Sequence, residues 1–205
     1  MKLKVCGLSR PIEVETCVSN NVNFCGFILN FSKSHRYISY EKAKNLLNIN
    51  KNEVKFVGVL VQPNLEELKK FSQLNLDYFQ LYGQYDCKSL IDIKKEFQKK
   101  IITTIQVKSK VDIENYKKVE DGSDIILWDS TGYEKSVSWN HSWIKDIKIK
   151  GEKMIAGNIT KDKLSDLSKL ADIVDVSGAL ETNKVKDISK INEFVKCVKK
   201  INNEN

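Results

Sequence analysis

Six residues with useful chemistry follow short apolar runs of the sequence. They are Cys6, Arg36, Asp129, Gly157, Ser177 and Gly178. A thiol and a carboxyl group can exchange protons with a substrate, and a guanidinium group matches a carboxylate in shape and charge. Small residues let backbone N–H groups approach a phosphate closely. Together they would place a thiol, a guanidinium group, a carboxyl group and two small-residue turns suited to a phosphate at one site.

Taken singly, each of these residues also has an ordinary structural explanation. A free cysteine packs as a small hydrophobic residue, and an aspartate after a strand can cap a helix. The arginine can lie on the surface, and the glycines can be turn residues. The functional prediction therefore depends on whether the fold brings the six residues together.

The apolar runs that precede these residues are continuous, which is typical of strands buried on both faces. They cover residues 3–6, 24–29, 56–61, 78–81, 101–107, 125–128, 153–156 and 173–176. Segments with helical periodicity separate several of them, at 40–47 after Ser39, 64–74, 160–170 and 187–201. We expect Asn64 and Thr160 to cap the second and third of these helices.

Alternating strands and helices predict a parallel sheet built from right-handed crossovers. Eight units favour a single (β/α)8 TIM barrel that spans residues 1–205 as one catalytic domain. An open doubly wound sheet is the competing α/β fold, but the first turn, CGLSRP, lacks the GxGxxG pattern of nucleotide-binding examples. In a barrel, the loops after the strands form one rim, where the six residues would meet.

The composition limits the kinds of partner. The net charge of +7 comes from 34 basic and 27 acidic residues that are spread along the chain. This predicts a solvated surface and no nucleic-acid binding, and a positive field would favour an anionic substrate. We expect neither a signal peptide nor a membrane span. The five irregularly spaced cysteines predict reduced thiols, a cytoplasmic protein and no metal site.

Several motifs resemble the phosphoribosylanthranilate isomerase family of tryptophan biosynthesis, and they occur in order along nearly the whole chain. KVCGLSR at 4–10 resembles the family's opening segment, and GFI at 26–28 with KSHRY at 33–37 resembles GF(V/I) and KSPRY. VGVLV at 57–61 is similar to VGVFV, and QLYG at 80–83 to QLHG. LWD at 127–129, AG at 156–157, DVSGALETN at 175–183 and VKD at 185–187 complete the set.

This resemblance implies a cofactor-independent Amadori rearrangement of a phosphorylated aminoaldose to an aminoketose. It implies that Asp129 is the general acid and Cys6 the general base. Arg36 would hold the anthranilate part, and Gly157, Ser177 and Gly178 the phosphate. The substrate would be a small phosphosugar, with neither metal nor cofactor, and the protein a monomer or a homodimer.

The sequence departs from the family pattern at several positions. Tyr82 replaces the His of QLHG, Asn158 the second Gly of AGGL, Ala179 a Gly of the last loop, and His35 the Pro of KSPRY. The loop at 130–139, STGYEKSVSW, has one Gly fewer than the family, so we expect it to be more ordered or to close differently. These changes affect the expected substrate affinity and loop motion more than the reaction type.

Two other functions are compatible with a barrel of this kind. One is another phosphosugar isomerase or synthase on the same fold. The histidine-pathway isomerase uses paired aspartates, however, whereas this sequence offers Cys6 and Asp129. The other is a catalytically silent barrel that binds a partner or nucleic acid, which the positive charge favours and the presence of acid, base and Arg candidates opposes.

Overall fold

The computed structural model describes residues 1–131 and 138–204, and its centre is a closed barrel of eight parallel strands. Each strand pairs with the next along the chain, and the eighth pairs with the first. The strands are β1 (Lys2–Cys6), β2 (Phe24–Ile28), β3 (Lys55–Val61), β4 (Tyr78–Tyr82), β5 (Lys100–Val107), β6 (Ile125–Ser130), β7 (Glu152–Ile155) and β8 (Ile173–Val176). The (β/α)8 prediction is confirmed, and the continuous apolar runs are the strands.

Helices and short 3₁₀ segments cover the outside of the barrel. The helices are α1 (Pro11–Ser19), α2 (Tyr40–Leu46), α3 (Leu65–Ser72), α4 (Cys87–Phe97), α5 (Leu164–Leu167) and α6 (Ile188–Glu204). The connections after β5 and β6 contain 3₁₀ segments at Lys110–Lys118, Glu120–Gly122 and His141–Ile144. After β8 the chain forms a small antiparallel hairpin from β9 (Glu181–Thr182) and β10 (Val185–Lys186). None of the helices in the described part of the chain is long and apolar enough to cross a lipid bilayer.

Local sequence explains where most of the predicted helices begin. The Asn64 side chain accepts a hydrogen bond from the Glu67 N–H at 2.8 Å, and the Glu67 carboxylate accepts one from the Asn64 N–H at 3.0 Å. This reciprocal pair is a capping box. Ser39 accepts from the Lys42 N–H at 3.3 Å. The predictions of α2, α3 and α6 are confirmed to within a few residues.

The helix predicted at 160–170 is much shorter than expected. Only a 3₁₀ turn at Lys161–Lys163 and the four residues of α5 are helical, and the Thr160 side chain makes no capping hydrogen bond. Serine side chains compete with the helix for backbone groups, and the Ser168 hydroxyl donates to the carbonyl of Ser165 at 2.8 Å. The leucine spacing in this segment therefore predicted burial correctly and helix length wrongly.

The interior of the barrel has two unlike halves. Side chains alternate between the two faces of a strand, and the inward residues at the amino ends of the strands are almost all apolar. They belong to a buried cluster of Phe24, Val57, Tyr78, Ile102, Ile125, Leu127, Met154 and Ile173, which Ala156 joins from the carboxyl end of β7. Farther along the same strands, the buried residues include polar and charged side chains, namely Lys4, Gln80, Thr104 and Asp175. The carboxyl-end half is therefore the part of the barrel suited to chemistry.

Candidate active site

A cavity of about 340 Å³ opens at the carboxyl ends of the strands. The six residues singled out in the sequence all line it, together with Tyr82, Asn158, Asp175 and Ala179. Barrel closure accounts for this arrangement, because residues that follow different parallel strands reach the same rim.

Asp129, near the end of β6, lies at one side of the cavity. Its Oδ2 accepts a hydrogen bond from the Tyr82 hydroxyl at 2.7 Å, and its Oδ1 accepts one from the Ser130 N–H at 2.7 Å. Burial raises the pKa of the Asp129 carboxyl to about 6, although the hydrogen bond from Tyr82 acts in the opposite direction. A carboxyl group with this pKa can hold a proton near neutral pH and release it in a reaction.

Cys6 ends β1, with its side chain 8% exposed and facing the same cavity. Burial raises the pKa of the Cys6 thiol above its ordinary value, while the nearby Lys4 ammonium favours the thiolate. Gly26 on β2 makes room for both groups, since a methyl group there would lie 2.9 Å from the Cys6 sulfur and 3.2 Å from the Lys4 nitrogen. The cavity thus contains the Cys6 thiol beside the Lys4 ammonium group, which can favour loss of the thiol proton.

A buried ion pair lies beneath Cys6 and was not predicted from the sequence. The Lys4 ammonium donates to Asp175 Oδ2 at 2.7 Å, and the two side chains are 0% and 6% exposed. Burial lowers the pKa of Lys4, but the charges and hydrogen bonds of Asp175 and Cys6 outweigh it, so the pKa is raised. Strand alternation could have predicted that both side chains face the barrel interior, because Lys4 is two residues before Cys6 and Asp175 is two before Ser177.

Arg36, in the loop after β2, is held at the rim by a carboxylate from the other end of the chain. Its Nε and Nη2 donate to the two oxygens of Glu181 at 2.5 and 3.0 Å. Gly7, which follows β1 with φ +79°, allows this position, because a Cβ there would lie 2.4 Å from Cδ of Arg36. Lys186 also donates to Glu181, and His35 lies 3.1 Å from it. Among residues 1–131 and 138–204, Glu181 is the acceptor for the Arg36 guanidinium, which leaves its other hydrogens for a substrate carboxylate.

Two turns after β7 and β8 present backbone N–H groups to the cavity. Gly157 and Asn158 both have left-handed backbone, with φ of +95° and +51°. Asn158 thus adopts the conformation that permits it to replace glycine. Within the described chain, no acceptor takes the N–H groups of Gly157, Asn158, Gly178 or Ala179. These donors are the ones that an anion at this side of the cavity would meet.

The Ser177 hydroxyl is hydrogen-bonded to the protein backbone, whereas a phosphate ligand would direct it to the anion. Its hydroxyl donates to the Cys6 carbonyl at 2.9 Å, which ties the end of β8 to the end of β1. Lys186 approaches the same hydroxyl at 3.3 Å. A direct contribution of Ser177 to anion binding would therefore come from its backbone, while its side chain fixes the position of the catalytic thiol candidate.

The loop after β6 is described only in part. Of the segment predicted to close differently, at 130–139, residues 132–137 lie outside the described residues. On its far side, the Trp139 indole N–H donates to the Ala156 carbonyl at 2.9 Å and its ring contacts the Gly157 turn. Across residues 1–131 and 138–204, no three His, Cys, Asp or Glu side chains lie together as metal ligands would.

Comparisons with known proteins agree on one family. Residues 3–197 match the family described as N-(5′-phosphoribosyl)anthranilate isomerase. A protein of that name from Streptococcus mutans is 34% identical over 204 residues, which cover 97% of this chain and 99% of that one.

Solved structures agree in fold. A phosphoribosyl anthranilate isomerase from Thermus thermophilus is 20% identical and superposes with a TM-score of 0.85, covering 98% of this chain and 100% of that one. A second such isomerase, solved with reduced 1-(o-carboxyphenylamino)-1-deoxyribulose 5-phosphate, is 24% identical with a TM-score of 0.77 and covers 98% and 99% of the two chains.

Proposed function

The chain belongs to the N-(5′-phosphoribosyl)anthranilate isomerase family, and from this premise we propose how its own residues perform the isomerisation. Asp129 is the general acid and Cys6 the general base in the conversion of the aminoaldose to the aminoketose. The observation that carries this assignment is the placement of a carboxyl group with a pKa of about 6 in the same cavity as a thiol beside an ammonium group.

Ring opening is the first step, and it uses the proton of Asp129. The carboxyl group protonates the furanose oxygen, the C1′–O bond breaks, and the lone pair of the anilino nitrogen forms a C1′–N double bond. The product is an open-chain protonated imine. The Asp129 carboxylate that remains is stabilised by the donors on its two oxygens, Tyr82 and Ser130.

Proton abstraction at C2′ is the second step, and it uses the sulfur of Cys6. The protonated imine makes the C2′ hydrogen acidic, and the thiolate removes it to give an enol that tautomerises to the ketone. The positive imine and Lys4 both favour the thiolate form of Cys6. General acid–base catalysis of this type contributes about 10²–10⁴-fold per group.

Two anchors hold the substrate at opposite ends. Arg36 pairs with the anthranilate carboxylate through the hydrogens that Glu181 leaves unused, and the N–H groups around Gly157 and Gly178 bind the phosphate. Ser177 supports the phosphate turn through its backbone. Charge-assisted contacts at both ends fix the reacting carbons between the acid and the base.

We also propose the setting in which this enzyme works. Residues 1–205 act as one catalytic domain in the cytoplasm, where the five unpaired thiols would stay reduced. The ligand is a small phosphosugar, nucleic acid is not a partner, and the protein is a monomer or a homodimer.

The test is turnover of the authentic aminoaldose by purified protein, followed by fluorescence, together with complementation of an auxotroph that lacks this step. Cys6→Ala and Asp129→Ala should each lower kcat by about 10²-fold or more. Cys87→Ala and Asp92→Ala, a thiol and a carboxyl group outside the cavity, serve as controls and should leave kcat unchanged. Near-normal turnover of a folded Cys6→Ala or Asp129→Ala variant would contradict the assigned role.

A further inference from the structure

A chain of hydrogen bonds crosses the barrel mouth from β4 to β6 and ends on Asp129. The Gln80 amide donates to the Tyr82 hydroxyl oxygen at 3.3 Å, and the Tyr82 hydroxyl donates to Asp129 Oδ2 at 2.7 Å. Gln80 is fully buried and Tyr82 is 8% exposed, so solvent has little access to these contacts. The shorter of the two bonds is the one to the carboxyl group.

The direction of this chain is fixed by chemistry. The Gln80 nitrogen is a donor only, so the Tyr82 oxygen accepts from it and directs its own proton to Asp129. Burial and nearby acidic groups raise the pKa of Tyr82 well above its ordinary value. The hydroxyl therefore keeps its proton at neutral pH and remains a donor to Asp129 throughout turnover.

Other groups also act on Asp129 from the surrounding strands. On β1 the group is Lys4 and on β8 Asp175, while Cys6 on β1 acts on Tyr82. Lys4 and Asp175 have opposite charges and are paired at 2.7 Å, so their effects on Asp129 oppose each other. On β6 itself the Ser130 N–H donates to Oδ1. Among the described residues, Tyr82 on β4 is the side chain from another strand that donates directly to the carboxyl group.

We propose that Tyr82 is a positioning residue, which orients the Asp129 carboxyl group and favours release of its proton to the substrate. The inference rests on the proposed role of Asp129 as general acid. A hydrogen bond donated to the charged form of an acid stabilises that form. Tyr82 therefore offsets the effect of burial, so that Asp129 is a stronger acid than its apolar surroundings alone would allow.

The first test compares the pH profile of kcat/KM for the natural enzyme, Tyr82→Phe and the control Tyr85→Phe. Tyr85 is a half-buried tyrosine in the loop after β4, outside this hydrogen-bond chain. Removing the Tyr82 hydroxyl should shift upward by about one pH unit the limb that Asp129 governs, which is the acid limb because the pKa of Asp129 lies below that of Cys6, and Tyr85→Phe should not shift it. A drop of equal size at every pH, with no shift, would mean that Tyr82 is only structural and would overturn the proposal.

The second test does not depend on turnover. The carboxyl carbon of Asp129 is followed by NMR titration in ¹³C-labelled protein, and its signal is assigned by its loss in Asp129→Asn. Tyr82→Phe should raise the titration midpoint, and Gln80→Leu should raise it by a smaller amount in the same direction. An unchanged midpoint in Tyr82→Phe would refute the coupling. If Asp129→Asn instead keeps full turnover, the proposed function fails while this titration still decides the coupling.

Discussion

Two carboxyl groups at the mouth of the barrel, Asp129 and Glu181, have opposite pKa shifts although burial acts on both. Asp129 receives its hydrogen bonds from neutral donors, and its pKa is raised to about 6. Glu181 is contacted by Arg36 and Lys186, and its pKa is lowered to about 2. Positively charged donors outweigh burial at Glu181, whereas burial prevails at Asp129, so Asp129 is the carboxyl group that can exchange a proton near neutral pH.

This difference separates the roles of the two carboxyl groups. Asp129 can exchange a proton near neutral pH, whereas Glu181 stays ionised and acts as a fixed anion. Glu181 holds the Arg36 guanidinium at two points and pairs with Lys186, which is 3% exposed. The carboxyl group on β6 is therefore suited to proton transfer, and the carboxyl group after β8 to holding the cations that bind an anionic substrate.

The largest expected effect comes from removing the charge of Glu181. Glu181→Gln leaves Arg36 and the buried Lys186 without their anion, and breaking a buried ion pair costs about 3–5 kcal/mol. We expect the free energy of unfolding at pH 7, measured with urea, to fall by about 3 kcal/mol. Asp129→Asn is the matched control, and it should be neutral or stabilising at that pH. Equal losses in the two variants would contradict the comparison.

Only one of these two environments could be predicted from the sequence. Asp129 follows an apolar run, so its place at the rim follows from the barrel alone. Glu181 and Arg36 are 145 positions apart, and their contact depends on the loops after β8 and β2, which meet only because β1 lies between these strands. The spacing of these two residues along the chain therefore does not predict their contact.

The other predictions from the sequence also succeed where local patterns are sufficient and fail where distant residues must meet. Continuous apolar runs predict strands well, because burial on both faces leaves few alternatives. The leucines at 160–170 predicted a helix that the serines shorten. Tyr82 was noted as a departure from the family motif, but its hydrogen bond to Asp129 requires the register of β4 and β6 around the barrel. Strand alternation alone places the side chains of Lys4 and Asp175 inside the barrel, but it does not show that the two side chains form an ion pair.

A second effect, of at most the same size, concerns the pH dependence of stability, where the two carboxyl groups should act in opposite directions. Asp129 binds its proton more tightly in the folded protein, since its pKa rises from the ordinary 3.8 to about 6. Its contribution should therefore destabilise the fold as pH rises from about 4 to 7, by up to about 3 kcal/mol. Asp129→Asn should remove this part of the pH dependence in urea unfolding.

Ionisation of Glu181 should instead stabilise the fold as the pH rises. Its pKa is lowered from the ordinary 4.5 to about 2, so its contribution is present above pH 4.5 and is lost as the pH falls through about 2. Glu181→Gln should flatten the acid side of the stability curve and leave the range from pH 5 to 7 parallel to that of the natural protein. Parallel curves for all three proteins from pH 3 to 7 would mean that neither carboxyl group has the environment described.

The smallest effect tests the binding side of the rim through Arg36. Arg36→Lys keeps a positive charge beside Glu181 but loses the planar fork that can hold two carboxylates at once. We expect KM to rise about 10-fold with kcat nearly unchanged, because the contact is made equally in the bound substrate and in the transition state.

Lys33→Ala is the control, because it removes an exposed positive charge from the same loop without touching the Glu181 pair. If the Arg36 contact, and not the overall positive charge of the loop, holds the substrate, Lys33→Ala should leave KM unchanged. If Arg36→Lys lowers kcat instead of raising KM, Arg36 acts on the reacting atoms. The assignment of Arg36 to substrate binding alone would then be wrong.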